Sequence, residues 1–190
     1  RIQVQVGTGG AGRAGGQVFA AREGDARPER LLPAYAARDR GLAKLLAGAG
    51  FRGTRNETAF LPWGNRWVLV VGLGKARDLS LEAVRQFAGT AARTVRARGH
   101  KALALPVLSD RALGAPAVVA QALTEGALLG LYRYDKLKQV PKHERNKRID
   151  AITLLVERTG EAAAAKRAVE KGEVLAEATS LVRDLINGPS

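Results

Sequence analysis

A dense basic run is the first feature with chemical content. Arg133, Lys136, Lys138, Lys142, Arg145, Lys147 and Arg148 are opposed only by Asp135 and Glu144 over that span. Such a composition suits phosphate contact through counterion release. Aromatic residues for base stacking are scarce there and no base-reading motif is present, so a solvated basic loop competes with a nucleic-acid interface. The net charge of +13, from 31 Lys and Arg against 18 Asp and Glu, favours polyanions in the same sequence-independent way. A generally arginine-rich composition, or an acidic partner domain, would account for it as well.

Metal and redox chemistry are poorly supplied. The chain has no Cys, so a disulfide framework and thiolate zinc or redox chemistry are excluded. His100 follows a glycine that closes a helical segment and His143 lies in the basic loop; neither has the neighbours of a metal ligand. Acids such as Glu23, Asp25 and Glu29 are scattered through polar segments rather than converging as a metal pair requires. No catalytic residue and no metal ligand is therefore assigned.

Two glycine motifs invite a functional reading and a structural one. Gly72-Leu73-Gly74-Lys75 lies between an apolar strand and a helix, where backbone amides could receive a phosphate. It lacks the full dinucleotide or P-loop pattern, and a tight turn leaving a sheet explains the glycines too. Within residues 125–135, Gly126 and Gly130 lie four apart on one helical face and would let a second element approach closely. Tyr132 and Tyr134 would then anchor the helix exit through packing and their hydroxyls.

Hydrophobic periodicity supplies the elements that position these residues. Residues 2–6 alternate apolar and polar, as a half-buried strand does. Residues 17–21 read as a second strand, and a helix beginning near Pro28 and Glu29 ends at Gly48 and Gly50. Residues 57–61 form a strand stopped by Pro62, and 67–71 a continuously apolar, buried parallel strand. Ser80 caps a helix that reaches Gly99. A strand over 102–106, a helix over 117–131, an exposed loop over 135–147 and a strand over 151–156 follow. A last helical pattern over 161–186 carries Leu175, Ala178, Leu181, Val182, Leu185 and Ile186 on one side and stops at Asn187-Gly188-Pro189. Alternating strands and helices imply an α/β fold with a mostly parallel sheet and helices on both faces. The final helix follows the last strand, and its apolar side calls for a partner.

Four segments, in order, resemble the leucyl (cytosol) aminopeptidase family: Gly50-Phe51-Arg52-Gly53 with Glu57; Val68-Leu69-Val70-Val71-Gly72-Leu73-Gly74-Lys75 continuing through Asp78-Leu79-Ser80-Leu81-Glu82 to Gly89; Glu125-Gly126-Ala127-Leu128-Leu129-Gly130-Leu131-Tyr132-Arg133-Tyr134-Asp135 with Lys138; and Val182-Arg183-Asp184-Leu185-Ile186-Asn187-Gly188-Pro189-Ser190. Together they cover most of the chain beyond about residue 50, and the first fifty residues carry no comparable signature. The resemblance implies a macro-domain-like amino-terminal α/β domain (1–158) and a linker helix (159–190) leading to a catalytic domain absent from this sequence. It further implies a cytoplasmic homo-hexamer that removes amino-terminal residues from peptides with two divalent metals, usually zinc, manganese or magnesium. The family's metal ligands and catalytic lysine and arginine lie after the point matching Ser190, so none is carried over, and the peptide substrate is expected to bind elsewhere. A scaffold and oligomerisation role is expected for this segment. Because some family members bind DNA through this domain, nucleic-acid binding is the alternative, and a free-standing macro-like ligand-binding module is a third reading. The chain begins at Arg1 and contains no Met, so a few leading residues are expected to be missing from it. Neither a signal peptide nor a bilayer-spanning run is expected.

Overall fold

A computed structural model describes residues 2–8, 16–24, 40–134 and 147–187. Its strands are β1 (Gln3–Thr8), β2 (Gly16–Ala21), β3 (Thr58–Trp63), β4 (Arg66–Gly72), β5 (Ala102–Pro106) and β6 (Ala151–Val156). Its helices are α1 (Arg40–Gly48), α2 (Leu81–Ala97), α3 (Pro116–Leu131) and α4 (Ala162–Asn187), with short 3-10 turns at Ala76–Asp78, Arg111–Leu113 and Thr159–Glu161. The strands form one six-stranded sheet in the order β1-β6-β5-β2-β4-β3. Every neighbouring pair is parallel except β3 with β4.

Burial explains the composition of each strand. Central β2 and β4 are covered on both sides and read as near-continuous apolar runs. Edge strand β1 keeps the alternation of the sequence, with Gln3 and Gln5 exposed and Val4 and Val6 half-buried. Pro62, expected to stop β3, instead sits inside it, paired with Trp67. The reason is position: β3 is an edge strand, where a residue without an N–H costs the ladder least.

One face of the sheet carries the main core. Val18, Leu69, Val71, Leu103, Leu105, Ile152 and Leu154 meet Val84, Phe87, Val95, Val119, Leu123 and Val169 there. The opposite face holds a smaller cluster of Phe19, Ala59, Val68 and Val70, with Phe51, just after α1, packed on it. Ser80 caps α2 as expected, its hydroxyl accepting from the Ala83 amide at 3.2 Å. α3 is apolar nearly all round because it lies between α2 and α4. The part of the first expected helix before residue 40 lies outside the described residues.

Candidate functional site

Each segment of the family resemblance holds a joint of the fold. In the first, the Glu57 carboxylate accepts from the amides of Arg52 and Thr54 and from the Thr54 hydroxyl, at 3.0–3.2 Å. Burial pushes its pKa up, but these hydrogen bonds outweigh that and hold it below the ordinary carboxylate value. The clamp fixes a loop in which Gly53 and Asn56 take positive φ.

In the second, Gly72 serves close packing, as Gly53 of the first does. A Cβ on Gly72 would lie 1.9 Å from the Thr54 carbonyl oxygen, and one on Gly53 2.4 Å from that of Arg22. The amides of Gly72, Leu73 and Gly74 donate to Glu57, Ala21 and Gly53 oxygens at 2.8, 2.7 and 3.0 Å. They are thereby committed within the fold, so the reading of Gly72-Leu73-Gly74 as an amide cradle for phosphate gives way to the tight exit from the sheet.

The third segment is the crossing of α2 and α3. A Cβ on Gly126 would lie 2.2 Å from the Arg85 carbonyl oxygen, and one on Gly130 2.6 Å from the Gly89 Cα, so the backbones meet where the sequence placed its small residues. Beside them Glu125, 7% exposed, accepts from Arg85 Nε at 2.7 Å and from Gln121 at 2.8 Å. That ion pair spans 40 positions and has no signature in the sequence. Tyr132 leaves α3 and donates its hydroxyl to Asp184 Oδ1 of the fourth segment at 2.7 Å, with the Arg183 guanidinium 5.6 Å above its ring. Burial and the Asp184 hydrogen bond raise the Tyr132 pKa. Tyr132 thus anchors the helix exit as its sequence context suggests, and the element it anchors to is α4.

α4 has two dissimilar sides. Ala165, Ala168, Val169, Gly172 and Ala176 are buried, and a Cβ on Gly172 would meet Thr124 Cβ at 2.9 Å and the Gln121 carbonyl oxygen at 3.0 Å. Val174, Leu175, Leu181, Val182, Leu185 and Ile186 are exposed, the last two at 73% and 76%. At 100° per residue Val174, Leu181 and Leu185 fall opposite the buried seam, while Leu175, Val182 and Ile186 run along one flank of it, the last two beyond the point where burial stops at Ala176. Scattered exposed apolar residues are ordinary, but six large ones on one helix mark an interaction surface.

The basic run is only partly visible. Lys136, Lys138, Lys142 and Arg145 lie outside the described residues, as does His143. Arg133 is exposed, Lys147 half-buried, and Arg148 Nε pairs with Asp150 at 2.9 Å, so no phosphate-tracking groove is assembled among the described residues. His100 packs in a ring cluster, 4.9 Å from Trp67 and 5.7 Å from Phe60, with Arg98 over Phe60. Burial, then the Arg98 charge, lowers its pKa. No group of three or more His, Cys, Asp or Glu able to hold a metal occurs among the described residues. No helix among them is long and apolar enough to cross a membrane.

Comparison with known proteins shows the family to which this α/β domain and its long final helix belong. The family described as "Cytosol aminopeptidase family, N-terminal domain" matches residues 23–141. The probable cytosol aminopeptidase of Roseiflexus castenholzii is 41% identical over 130 residues, covering 65% of this chain and 25% of that protein. That of Leifsonia xyli is 35% identical over 155 residues, covering 80% and 28%. Among solved structures, the bottromycin maturation enzyme BotP, in complex with manganese, superposes with a TM-score of 0.65 at 29% identity over 93% of this chain and 32% of its own. A tomato leucine aminopeptidase mutant superposes over the whole chain and 39% of its own with a TM-score of 0.77; at 18% identity this shows the shared fold. The chain belongs to the cytosol aminopeptidase family and comprises its amino-terminal domain. It spans about a quarter to a third of the length of the relatives it matches.

Proposed function

We propose that this chain is the non-catalytic part of a metal-dependent leucyl aminopeptidase, with residues 1–158 as a scaffold domain and 159–190 as the linker helix to a catalytic domain. The parent enzyme would hydrolyse amino-terminal residues from peptides in the cytoplasm, as a hexamer whose assembly this domain supports. The observation that carries the reading is the set of six large apolar side chains from Val174 to Ile186 that remain exposed on one helix. The relatives named as aminopeptidases are three to four times as long as the segment they share with this chain, which leaves ample polypeptide to cover it. BotP was solved in complex with manganese, so that metal is the first to supply. Two divalent ions in the catalytic domain would activate the water that attacks the first peptide bond.

The test pairs this chain with the longer gene product that contains it. An aminoacyl chromogenic substrate with Mn²⁺ should be turned over by the longer protein and left intact by residues 1–190. Leu185→Asp with Ile186→Asp should disrupt assembly of the longer protein while leaving the isolated chain as stable as before. Turnover by the isolated chain, or a longer protein indifferent to both aspartates, would overturn the assignment. The nucleic-acid alternative has no specific observation behind it: four of its seven basic residues lie outside the described residues.

A further inference from the structure

The scaffold role proposed above makes no use of the crevice at the carboxyl end of β4, and a ligand bound there would be a separate property of this domain. Glu23, Arg55, Gly74, Lys75, Arg77 and Asp78 line an open cleft of about 500 Å³, within the size range of small-molecule sites. The chain leaving β4 turns to α2 on the main-core face. Phe51, just after α1, packs on the other face. Divergent connections at the carboxyl ends of neighbouring parallel strands open the crevice in which α/β sheets bind ligands.

Its rim is rigid and its charges are incompletely satisfied. The glycine contacts lock residues 22–23, 53–55 and 72–74 backbone to backbone, and Glu57 clamps the middle segment. Arg55 donates to the Asp78 carbonyl at 3.2 Å, which leaves further guanidinium N–H groups to spare. Arg77 stands 3.9 Å from the Asp78 carboxylate in a pair 77% and 49% exposed, a contact that holds neither partner firmly. The Lys75 and Glu23 side chains make no hydrogen bond or ion pair among the described residues. A bare cation would be repelled by three positive groups, and a bare anion would leave two carboxylates unanswered.

We propose that this cleft binds a small phosphorylated polyol. Its phosphate would lie against Lys75, Arg77 and Arg55, and its hydroxyls would donate to Glu23 and Asp78. Because the glycine amides are already committed, recognition rests on side chains, and binding should weaken as salt is raised.

The test titrates residues 1–190 with ribose 5-phosphate, glycerol 3-phosphate, ribose and inorganic phosphate, read by amide NMR shifts at low ionic strength. A sugar or glycerol phosphate should perturb residues 22–24, 53–55 and 74–78 and bind at least about tenfold more tightly than ribose or inorganic phosphate, reflecting charge-assisted hydrogen bonds to both ends of the ligand. Lys75→Ala with Arg77→Ala, both on the surface, should abolish the shifts without unfolding the chain. Glu23→Gln should weaken the phosphorylated polyols and spare inorganic phosphate. Saturation by inorganic phosphate as readily as by the esters would show an adventitious anion surface. That result, no shift at millimolar ligand, or shifts that survive the double substitution would each overturn the proposal.

Discussion

The two halves of α4 obey one helical period and do opposite things with it. In the first half and just past the midpoint, Ala165, Ala168, Gly172 and Ala176 are small and buried, and the helix lies close to α3. In the second half, Leu181, Val182, Leu185 and Ile186 are large and exposed. Had burial been satisfied within the chain, the large residues would be the hidden ones. Small residues therefore stand where a helix backbone makes close contact, and the large ones stand exposed, as the proposed docking of a catalytic domain would require. Length makes the same point. A helix of 26 residues spans about 39 Å, and a strand of six about 20 Å, so α4 overhangs the sheet it is anchored to.

Breaking the anchored side should have the largest effect. Gly126→Val drives a side chain into the Arg85 backbone, where no flexible group can yield. A loss of about 3 kcal/mol or more, at the upper end for overpacking, is expected in denaturant unfolding. Gly172→Val meets a side chain and one carbonyl at 2.9–3.0 Å, so a smaller loss of about 1–3 kcal/mol should follow in the same measurement. If both variants unfold at the wild-type midpoint, the close approach of the three helices is not what holds the domain together.

Tyr132→Phe probes the boundary between the halves. Removing the hydroxyl bond to Asp184 should cost about 1 kcal/mol. Its more telling consequence is faster hydrogen exchange over residues 177–187 with unchanged protection in β4 and α2. Uniform acceleration throughout would mean that the bond supports the whole domain and does not specifically tie down the overhang. Against these, Leu185→Lys on the exposed side should shift the stability of the isolated chain by no more than about 0.5 kcal/mol.

pH offers a gentler handle away from the rod. The folded Glu57 carboxyl has a lowered pKa, so the unfolded chain binds its proton first as pH falls. Its contribution is complete above the ordinary carboxylate value and is lost on acidification through the folded value. Glu57→Gln should flatten that part of a melting-temperature profile below about pH 4.3. A mutant profile parallel to the wild type would remove the clamp from the account.

Much of the fold is legible in the sequence because it is local. The strand over 102–106 and the one over 151–156 match β5 and β6 at both ends, and the Ser80 cap depends only on residues three apart. Gly126 and Gly130 signal a close approach without naming the partner, since spacing of four on a helix defines a face. What stays hidden is long-range. Arg85 with Glu125, and Arg22 with Asp110 across 88 positions, are pairings that no period announces. Asp110 owes its lowered pKa first to the Ala112 amide and then to Arg22, and only the amide lies within reach of sequence reasoning. Pro62 defeats a local reading for a related reason: whether proline ends a strand depends on which strand stands at the sheet edge, a property of the whole topology. The cleft is likewise spread over three loops: Gly74 and Lys75 fall in a motif the sequence marks for phosphate, while Glu23 and Arg55 join them only through the fold.

α3 and α4 run side by side in the same direction, since residues 121 and 124 meet Gly172 and, further along both, Tyr132 meets Asp184. Both return against the strands, so the overhang leaves the molecule at the pole opposite the carboxyl ends of β2 and β4. A small molecule in the crevice and a protein gripping the overhang would therefore occupy opposite poles. Neither would exclude the other, and the domain between them would carry both loads at once.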